Sequence, residues 1–92
     1  MTEEQIHHFL IHEVQFTFAK NMANIPHSWI CRKDYSDLKF LEVMNFISRN
    51  GYTEEFYGRK YTYYNIEDYK YWVMTDSQDF DDPTAIINKA KI

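Results

Sequence analysis

The stretch FYGRKYTYYNIEDYKYWVM, residues 56–74, places eight aromatic residues in nineteen positions and contains almost no aliphatic residues. Aromatic and β-branched residues favour extended strands over helices. Gly58 and Arg59 suit a two-residue hairpin turn of type II′, and the segment NIED suits a second turn. Together with the preceding YTEEFY, the pattern predicts a three-stranded antiparallel meander over residues 52–75.

The last strand of this meander carries large apolar groups on both faces, because successive side chains of a strand point to opposite sides. One face receives Tyr69, Tyr71 and Val73, and the other receives Lys70, Trp72 and Met74. One of these faces needs a helix to cover it. The other needs the second helix, a partner or a ligand, so the aromatic residues form either a binding surface or only the core.

An amphipathic helix is expected over residues 2–22. Thr2 and Gln5 have the spacing of a capping box, in which each side chain bonds the backbone of the other. Apolar residues then recur every four positions, at Ile6, Leu10, Val14, Phe18 and Met22. This spacing places them on one side of a helix, which we expect to face the core.

A second helix is expected over residues 34–51. Asp34 or Ser36 has the side chain of an N-cap, and Asn50-Gly51 suits a left-handed stop. The apolar arc is wide, with Leu38, Leu41, Val43, Met44, Phe46 and Ile47. An arc of this width predicts a helix that lies across a sheet.

Two further segments favour strands, one on each side of the helix–meander unit. Residues 29–31, WIC, follow the helix-breaking Pro26. The C-terminal AIINKAKI suits a strand at the sheet edge, although Asp82-Pro83 would also start a helix well. The chain therefore predicts one α+β domain over residues 1–92, with two helices packed on a small antiparallel sheet of three to five strands.

Charge and composition narrow the functional classes. A net charge of −4 disfavours broad, nonspecific attraction to nucleic-acid backbones but allows a local basic site. No apolar run approaches the roughly 20 residues that span a bilayer, so no membrane partner is expected. The lone Cys31 suggests a reducing environment and hence a cytoplasmic protein. The phosphate-loop, serine-elbow and dinucleotide motifs are absent, and we expect neither a cofactor nor a catalytic residue.

Three groups of residues suggest chemistry but fit packing or solvation better. His8 and His12 have the i, i+4 spacing of two metal ligands, yet no third ligand can be assigned. The aspartates at 76, 79, 81 and 82 lack the central glycine and terminal glutamate of a calcium loop. Cys31 and His27 would lie about 13 Å apart in a strand, which is too far for direct proton transfer.

A further group of residues combines cationic side chains that donate hydrogen bonds to anions, flat aromatic rings and a histidine that titrates. Arginine and lysine bind phosphate or carboxylate, tyrosine and tryptophan offer stacking surfaces, and histidine titrates near neutral pH. The predicted ligand-binding residues are His27, Arg32, Arg59, Lys60, Tyr61, Tyr63, Trp72 and Asn88. Such side chains form pockets for nucleotides, unpaired bases or acidic peptides. The simpler alternative is that the arginines pair with surface acids and the rings build the core.

The segments NIPHSWICRK, NGYTEEFYGRKYTYYNIEDYKYWVM and IINKA resemble a group of small hypothetical proteins of bacteria, phages and mobile elements. That group has an Asn-Pro-His-like start, a helix ending in Asn-Gly-Tyr, a Gly-Arg turn and a Tyr-Lys-Tyr-Trp strand. Here Ile25 interrupts Asn-Pro, and Lys89 replaces the expected arginine. The resemblance implies no catalytic residue. Its signature positions are His27, Arg32, Gly58, Arg59, Tyr61, Tyr71, Trp72 and Asn88.

Three functions follow as hypotheses. The first is a small non-catalytic intracellular protein that binds a nucleotide or single-stranded nucleic acid. The second is a protein-interaction module or inhibitor, which could self-associate as a homodimer and derive from a phage or mobile element. The third is a small hydrolase or transferase that uses His27 as its acid–base group and Arg32 or Arg59 to hold an anion.

Overall fold

The computed structural model describes residues 1–18, 28–74 and 84–92. Its helical elements are α1 (Glu3–His8), a π-helical segment (Phe9–Glu13) and α2 (Leu38–Asn50). Its strands are β1 (Thr17–Phe18), β2 (Ser28–Asp34), β3 (Tyr52–Phe56), β4 (Arg59–Ile66), β5 (Tyr69–Met74) and β6 (Thr84–Lys91). Helices in the first half and a sheet built largely from the second half make this an α+β fold, as predicted.

The strands form one sheet in the order β1-β2-β6-β5-β4-β3, with every neighbouring pair antiparallel. The six strands of the described residues exceed the predicted three to five, because β1 was expected to be helical. The predicted meander is confirmed as β3, β4 and β5. The predicted C-terminal strand is also confirmed, but it lies between β2 and β5 rather than at the edge, which buries Ile87 completely.

The first helix is much shorter than the predicted 2–22. Its capping box is present: the Gln5 amide donates to the Thr2 hydroxyl at 3.1 Å, and the Thr2 amide donates to the Gln5 side chain at 2.8 Å. The helix then widens into the π-helical segment, which ends at Glu13, and Val14 after it is extended. β-Branched and aromatic residues follow, and they favour the strand β1, whose backbone pairs with β2.

Both ends of α2 differ from prediction. Asp37, rather than Asp34 or Ser36, is the N-cap and accepts a hydrogen bond from the Phe40 amide at 3.1 Å. Asp34 instead accepts one from the Ser36 amide in the preceding turn. At the other end Gly51 is extended, with φ −83° and ψ 178°, so the expected left-handed stop is wrong. A glycine is required there because a Cβ atom would lie 2.4 Å from the carbonyl oxygen of Tyr63.

The turn between β3 and β4 consists of Tyr57 and Gly58, with φ of 52° and 75°. The predicted turn at Gly58-Arg59 is therefore wrong by one residue, and Arg59 is the first residue of β4. Positive φ is uncommon for tyrosine, so the sequence gives no reason to expect Tyr57 in the turn. The observed turn sets Phe56 opposite Arg59 and thereby fixes the register of the whole hairpin.

Both helices pack on the same face of the sheet. The shared core contains Ile6, Phe9, Leu10, Phe40, Val43 and Ile47 from the helical elements and Cys31, Ile66, Tyr71, Val73, Ala85 and Ile87 from the sheet. Leu38 departs from the predicted apolar arc and is 77% exposed. Because the two helices share one face, the described residues place no helix on the other side of the sheet.

Candidate ligand-binding face

The face of the sheet that lies away from the helices is called the open face below. Alternation and strand register assign its residues. Across β3, β4 and β5 they are Tyr52, Glu54, Arg59, Tyr61, Tyr63, Asn65, Lys70, Trp72 and Met74. On β6 and β2 they include Asn88, Ile30 and Arg32. Polar and aromatic side chains therefore dominate the part of this face that belongs to the meander.

Six of the eight predicted binding residues share the open face. They are Arg32, Arg59, Tyr61, Tyr63, Trp72 and Asn88. Lys60 lies opposite Glu55 on the helix-covered side of the sheet, so it is separated from them. His27 lies outside the described residues. The arrangement brings together most, but not all, of the predicted set.

Four side chains at the β3–β4 end of the open face form a compact group, here called the tyrosine–glutamate square. Tyr52 is directly opposite Tyr63, and Glu54 is directly opposite Tyr61. Opposite residues lie about 5 Å apart, and successive residues on one face lie about 7 Å apart along a strand. The rings of Tyr52 and Tyr63 stack at 5.6 Å between centroids with 24° between planes. The square is thus about the size of a nucleobase.

The other members of the square affect the pKa of the Tyr63 hydroxyl. Burial raises the pKa of Tyr63, and the charges of Glu54, Tyr61 and Tyr52 raise it further. A carboxylate raises the pKa of a phenol only when the two groups are close. The Tyr63 hydroxyl therefore stays protonated at neutral pH, beside an exposed carboxylate.

Two cations flank the square along β4 and β5. Lys70 Nζ lies 5.4 Å from the Tyr63 ring centroid and 5.9 Å from that of Trp72. At the other end, a guanidinium nitrogen of Arg59 lies 3.8 Å from the sulfur of Met74. Both are long side chains whose charged ends lie over other side chains of this face. They are placed to contact the anionic part of a ligand whose flat part lies on the tyrosines.

Trp72 lies on the predicted face but is buried rather than available to a ligand. Its side chain is only 2% exposed, so it offers no free surface for stacking. It instead contacts Tyr63, with 5.8 Å between ring centroids, and lies beside Asn88 of β6. Tyr52, at 47% exposed, is the accessible end of this series of rings. Trp72 therefore supports the square rather than contacting a ligand.

Arg32 is far from the square. It lies on β2, and three strand spacings of about 4.8 Å separate β2 from β4, giving about 14 Å. The site is thus centred on β3, β4 and β5. The sequence did not single out Tyr52, Glu54 or Lys70 for it. Alternation along β3 already put Tyr52 and Glu54 on one face, but only the correct turn reveals which residues of β4 they oppose.

The helix-covered face has its own cation–aromatic cluster. Lys89 Nζ lies 4.3 Å from the Tyr69 centroid, 5.2 Å from that of Phe16 and 5.7 Å from that of Tyr71. Burial lowers the pKa of Lys89, whereas ring faces attract its ammonium form. The cluster connects β5 and β6 to the segment before β1. We interpret it as part of the packing of the fold.

Other candidates for chemistry have little support from geometry. The rings of His8 and His12 lie 4.9 Å apart, but the described residues contain no group of three or more side chains able to hold a metal ion. Burial raises the pKa of the Cys31 thiol, which disfavours the nucleophilic thiolate. The aspartates at 76, 79, 81 and 82 lie outside the described residues.

A cleft of about 570 Å³ lies at the other side of the molecule, between the N-terminal helical elements and α2. It is lined by Met1, Glu4, Gln5, His8, Glu13 and Lys39. Lys39 already donates to Glu13 at 3.1 Å, and the N-terminal amine of Met1 pairs with Glu42 at 2.6 Å, so both of these cations already have acidic partners. The open face remains the better candidate because two cations, Lys70 and Arg59, lie on the same face as the exposed ring of Tyr52.

No family model matches the chain, and neither the curated proteins nor the solved structures give a significant match. Within the described ranges, no helix is both long and apolar enough to cross a membrane.

Proposed function

We propose that the protein is a small, non-catalytic cytoplasmic protein whose open face binds an anionic ligand with a flat ring, such as a nucleotide or an unpaired base of a single-stranded nucleic acid. The observation that carries the proposal is the tyrosine–glutamate square with Lys70 and Arg59 at its sides. Exposed tyrosines on a sheet stack unpaired bases, and each stack contributes about 1–3 kcal/mol.

Charge supports a small, local site. The chain has a net charge of −4, so long-range attraction to a phosphate backbone is weak, and affinity depends on contacts at the square. Two cations contacting two phosphates of a single strand predict a slope of about −1.4 when log affinity is plotted against log salt concentration. A steep slope would indicate a broad electrostatic interface instead.

Trp72 provides the assay. Replacing Trp29, the other tryptophan of the chain, with phenylalanine leaves Trp72 as the sole reporter, 5.8 Å from Tyr63. We expect its fluorescence to change on titration with nucleoside monophosphates and with short single-stranded RNA or DNA. Tyr52→Leu removes the exposed stacking ring and should weaken binding about tenfold or more.

Two matched variants control for general effects. Tyr35 is 53% exposed, close to the value for Tyr52, but precedes α2, so Tyr35→Leu should leave binding unchanged. Arg59→Gln removes one of the two cations beside the square and should weaken binding, whereas Arg49→Gln, at an exposed arginine in the last turn of α2, should leave binding unchanged. The proposal fails if no probe binds the wild-type protein, or if Tyr52→Leu and Tyr35→Leu have equal effects.

A protein-interaction role is the second candidate, and the position of β3 favours it. Among the described strands, β3 forms one edge of the sheet and contributes Tyr52 and Glu54 to the square. A strand from a partner or a second copy would extend the sheet and continue the open face. Size-exclusion chromatography with light scattering tests self-association, and a monomer at all concentrations would exclude the homodimer. The catalytic alternative depends on His27, outside the described residues, and we do not propose it.

A further inference from the structure

We propose that the tyrosine–glutamate square selects guanine, with the Glu54 carboxylate accepting two hydrogen bonds from the Watson–Crick edge of the base. This inference rests on the proposed function, because it assigns the base that the same site would prefer. Its structural basis is one exposed carboxylate placed among three tyrosine rings.

The position of Glu54 suits recognition of a base edge. It lies directly opposite Tyr61 and two residues after Tyr52 on the same face, about 5 and 7 Å away. A base stacked on the exposed Tyr52 ring would have one edge beside this carboxylate. Because the rings hold the plane of the base, the carboxylate would meet that edge side-on, as two parallel hydrogen bonds require.

The Glu54 carboxylate is available for such bonds. No hydrogen bond or ion pair from the described parts of the chain engages it. Arg59, a diagonal neighbour on the open face, directs a guanidinium nitrogen towards the sulfur of Met74 at 3.8 Å instead. Within the described residues, both oxygens of Glu54 are therefore available as acceptors.

The four bases present different edges to a carboxylate. Guanine offers two adjacent donors, N1–H and the N2 amino group, which match two carboxylate oxygens. Adenine and cytosine each offer one amino donor beside a ring-nitrogen acceptor, and that acceptor would repel the second oxygen. Uracil places its single N–H between two carbonyl groups. Only guanine satisfies both oxygens of Glu54 without an opposed acceptor.

The phosphate would lie away from Glu54. The glycosidic nitrogen of a purine is on the side opposite the Watson–Crick edge, so a nucleotide bound through that edge directs its sugar and phosphate across the square. Lys70 lies on that far side, with Nζ 5.4 Å from the Tyr63 centroid. The like charges of carboxylate and phosphate are thus kept apart, and a cation meets the phosphate.

The expected selectivity follows from general recognition energies. A good bidentate contact discriminates between bases by about tenfold to a hundredfold. We therefore expect GMP to bind about tenfold or more tightly than AMP, CMP or UMP. IMP lacks the N2 amino group but keeps N1–H, so it should have intermediate affinity.

The test uses the Trp29→Phe protein and titrates GMP, IMP, AMP, CMP and UMP against Trp72 fluorescence. Glu54→Gln replaces two acceptors with one acceptor and one donor, which complements the adenine edge instead. We expect this variant to lose about tenfold in affinity for GMP and to gain affinity for AMP. Glu55→Gln is the matched control, since Glu55 is the next carboxylate along β3 but lies on the other face. It should change neither the affinity for GMP nor that for AMP.

The outcomes separate the two proposals. If nucleotides bind but all bases bind equally, or if Glu54→Gln leaves the preference for GMP intact, the guanine assignment is wrong and the proposed function stands. If no nucleotide binds to the wild-type protein, the guanine assignment is wrong, and if short single-stranded RNA and DNA also fail to bind, the proposed function is wrong as well. Equal melting temperatures of the Glu54→Gln and Glu55→Gln variants would show that altered binding does not come from unfolding.

Discussion

The two glycines of the chain should respond to substitution for opposite physical reasons, and the difference tests the packing of α2 against the sheet. A Cβ atom on Gly51 would lie 2.4 Å from the Tyr63 carbonyl oxygen and 2.8 Å from the Ile47 carbonyl oxygen. Both are backbone atoms and have no rotamer by which to move away. Gly51→Ala therefore requires either the end of α2 or the β3–β4 hairpin to shift.

The magnitude follows from the costs of overpacking and of backbone strain. Forcing extra atoms into a packed interior costs about 1–3 kcal/mol, and sometimes more. The contact at Gly51 involves two backbone oxygens, so we expect about 3 kcal/mol. Gly58 has open space around its Cβ position but a φ of +75°, which costs an alanine about 1–2 kcal/mol.

Thermal unfolding followed by circular dichroism measures the loss of stability in the Gly51 and Gly58 variants. For a chain of this size, each 1 kcal/mol lowers the melting temperature by about 4–8 °C, so Gly51→Ala should lower it by about 12 °C or more. Asparagine tolerates positive φ, so Gly58→Asn should be nearly neutral while Gly51→Asn should be severe. If Gly51→Ala and Gly58→Asn proved equally stable, the close approach of α2 to β4 would be wrong.

Two further predictions concern the core. Ile47→Ala creates a cavity at a fully buried position and should reduce the free energy of unfolding by about 2–5 kcal/mol. Leu38→Ala, on the exposed side of the same helix, should change it by less than about 0.5 kcal/mol. Urea denaturation measures both free energies, and equal losses would contradict the observed orientation of α2. Burial raises the pKa of Tyr71 to about 12. In the unfolded chain it ionises near pH 10, so its contribution to stability is complete below that pH and is lost as the pH rises towards 12. Tyr71→Phe should flatten this alkaline decline, and an unchanged pH profile would show that Tyr71 is not its source.

Local sequence signals identified most elements but placed several boundaries wrongly. The capping box of Thr2 and Gln5 is present as predicted, because both partners lie within one turn. The helix that it starts ends at residue 13, since β1 pairs with Trp29 and Ile30. That pairing joins distant parts of the chain, and no local pattern reveals it.

In the candidate site, too, local sequence predicts some features and the tertiary structure decides others. Alternation puts Arg59, Tyr61 and Tyr63 on one face whatever else the chain does. Their partners on β3 depend on the turn, and the predicted Gly58-Arg59 turn would have set Glu54 opposite Tyr63 rather than Tyr61. The observed turn contains Tyr57 at positive φ, a conformation that composition disfavours. The composition of the square therefore depends on a backbone conformation that the sequence does not signal.

The sequence by itself determined the α+β class, the meander and which side chains of each strand lie on the same face of the sheet. These features follow from periods of two and of about four residues along the chain. Only the tertiary structure decided which face the helices cover. Both faces of β5 carry large apolar groups, so periodicity gives no preference between them. The insertion of β6 between β2 and β5 places Asn88 beside Trp72, and Trp72 is buried while Tyr52 is left exposed. Burial depends on neighbours brought together from distant positions in the chain, and their arrangement is a property of the whole fold.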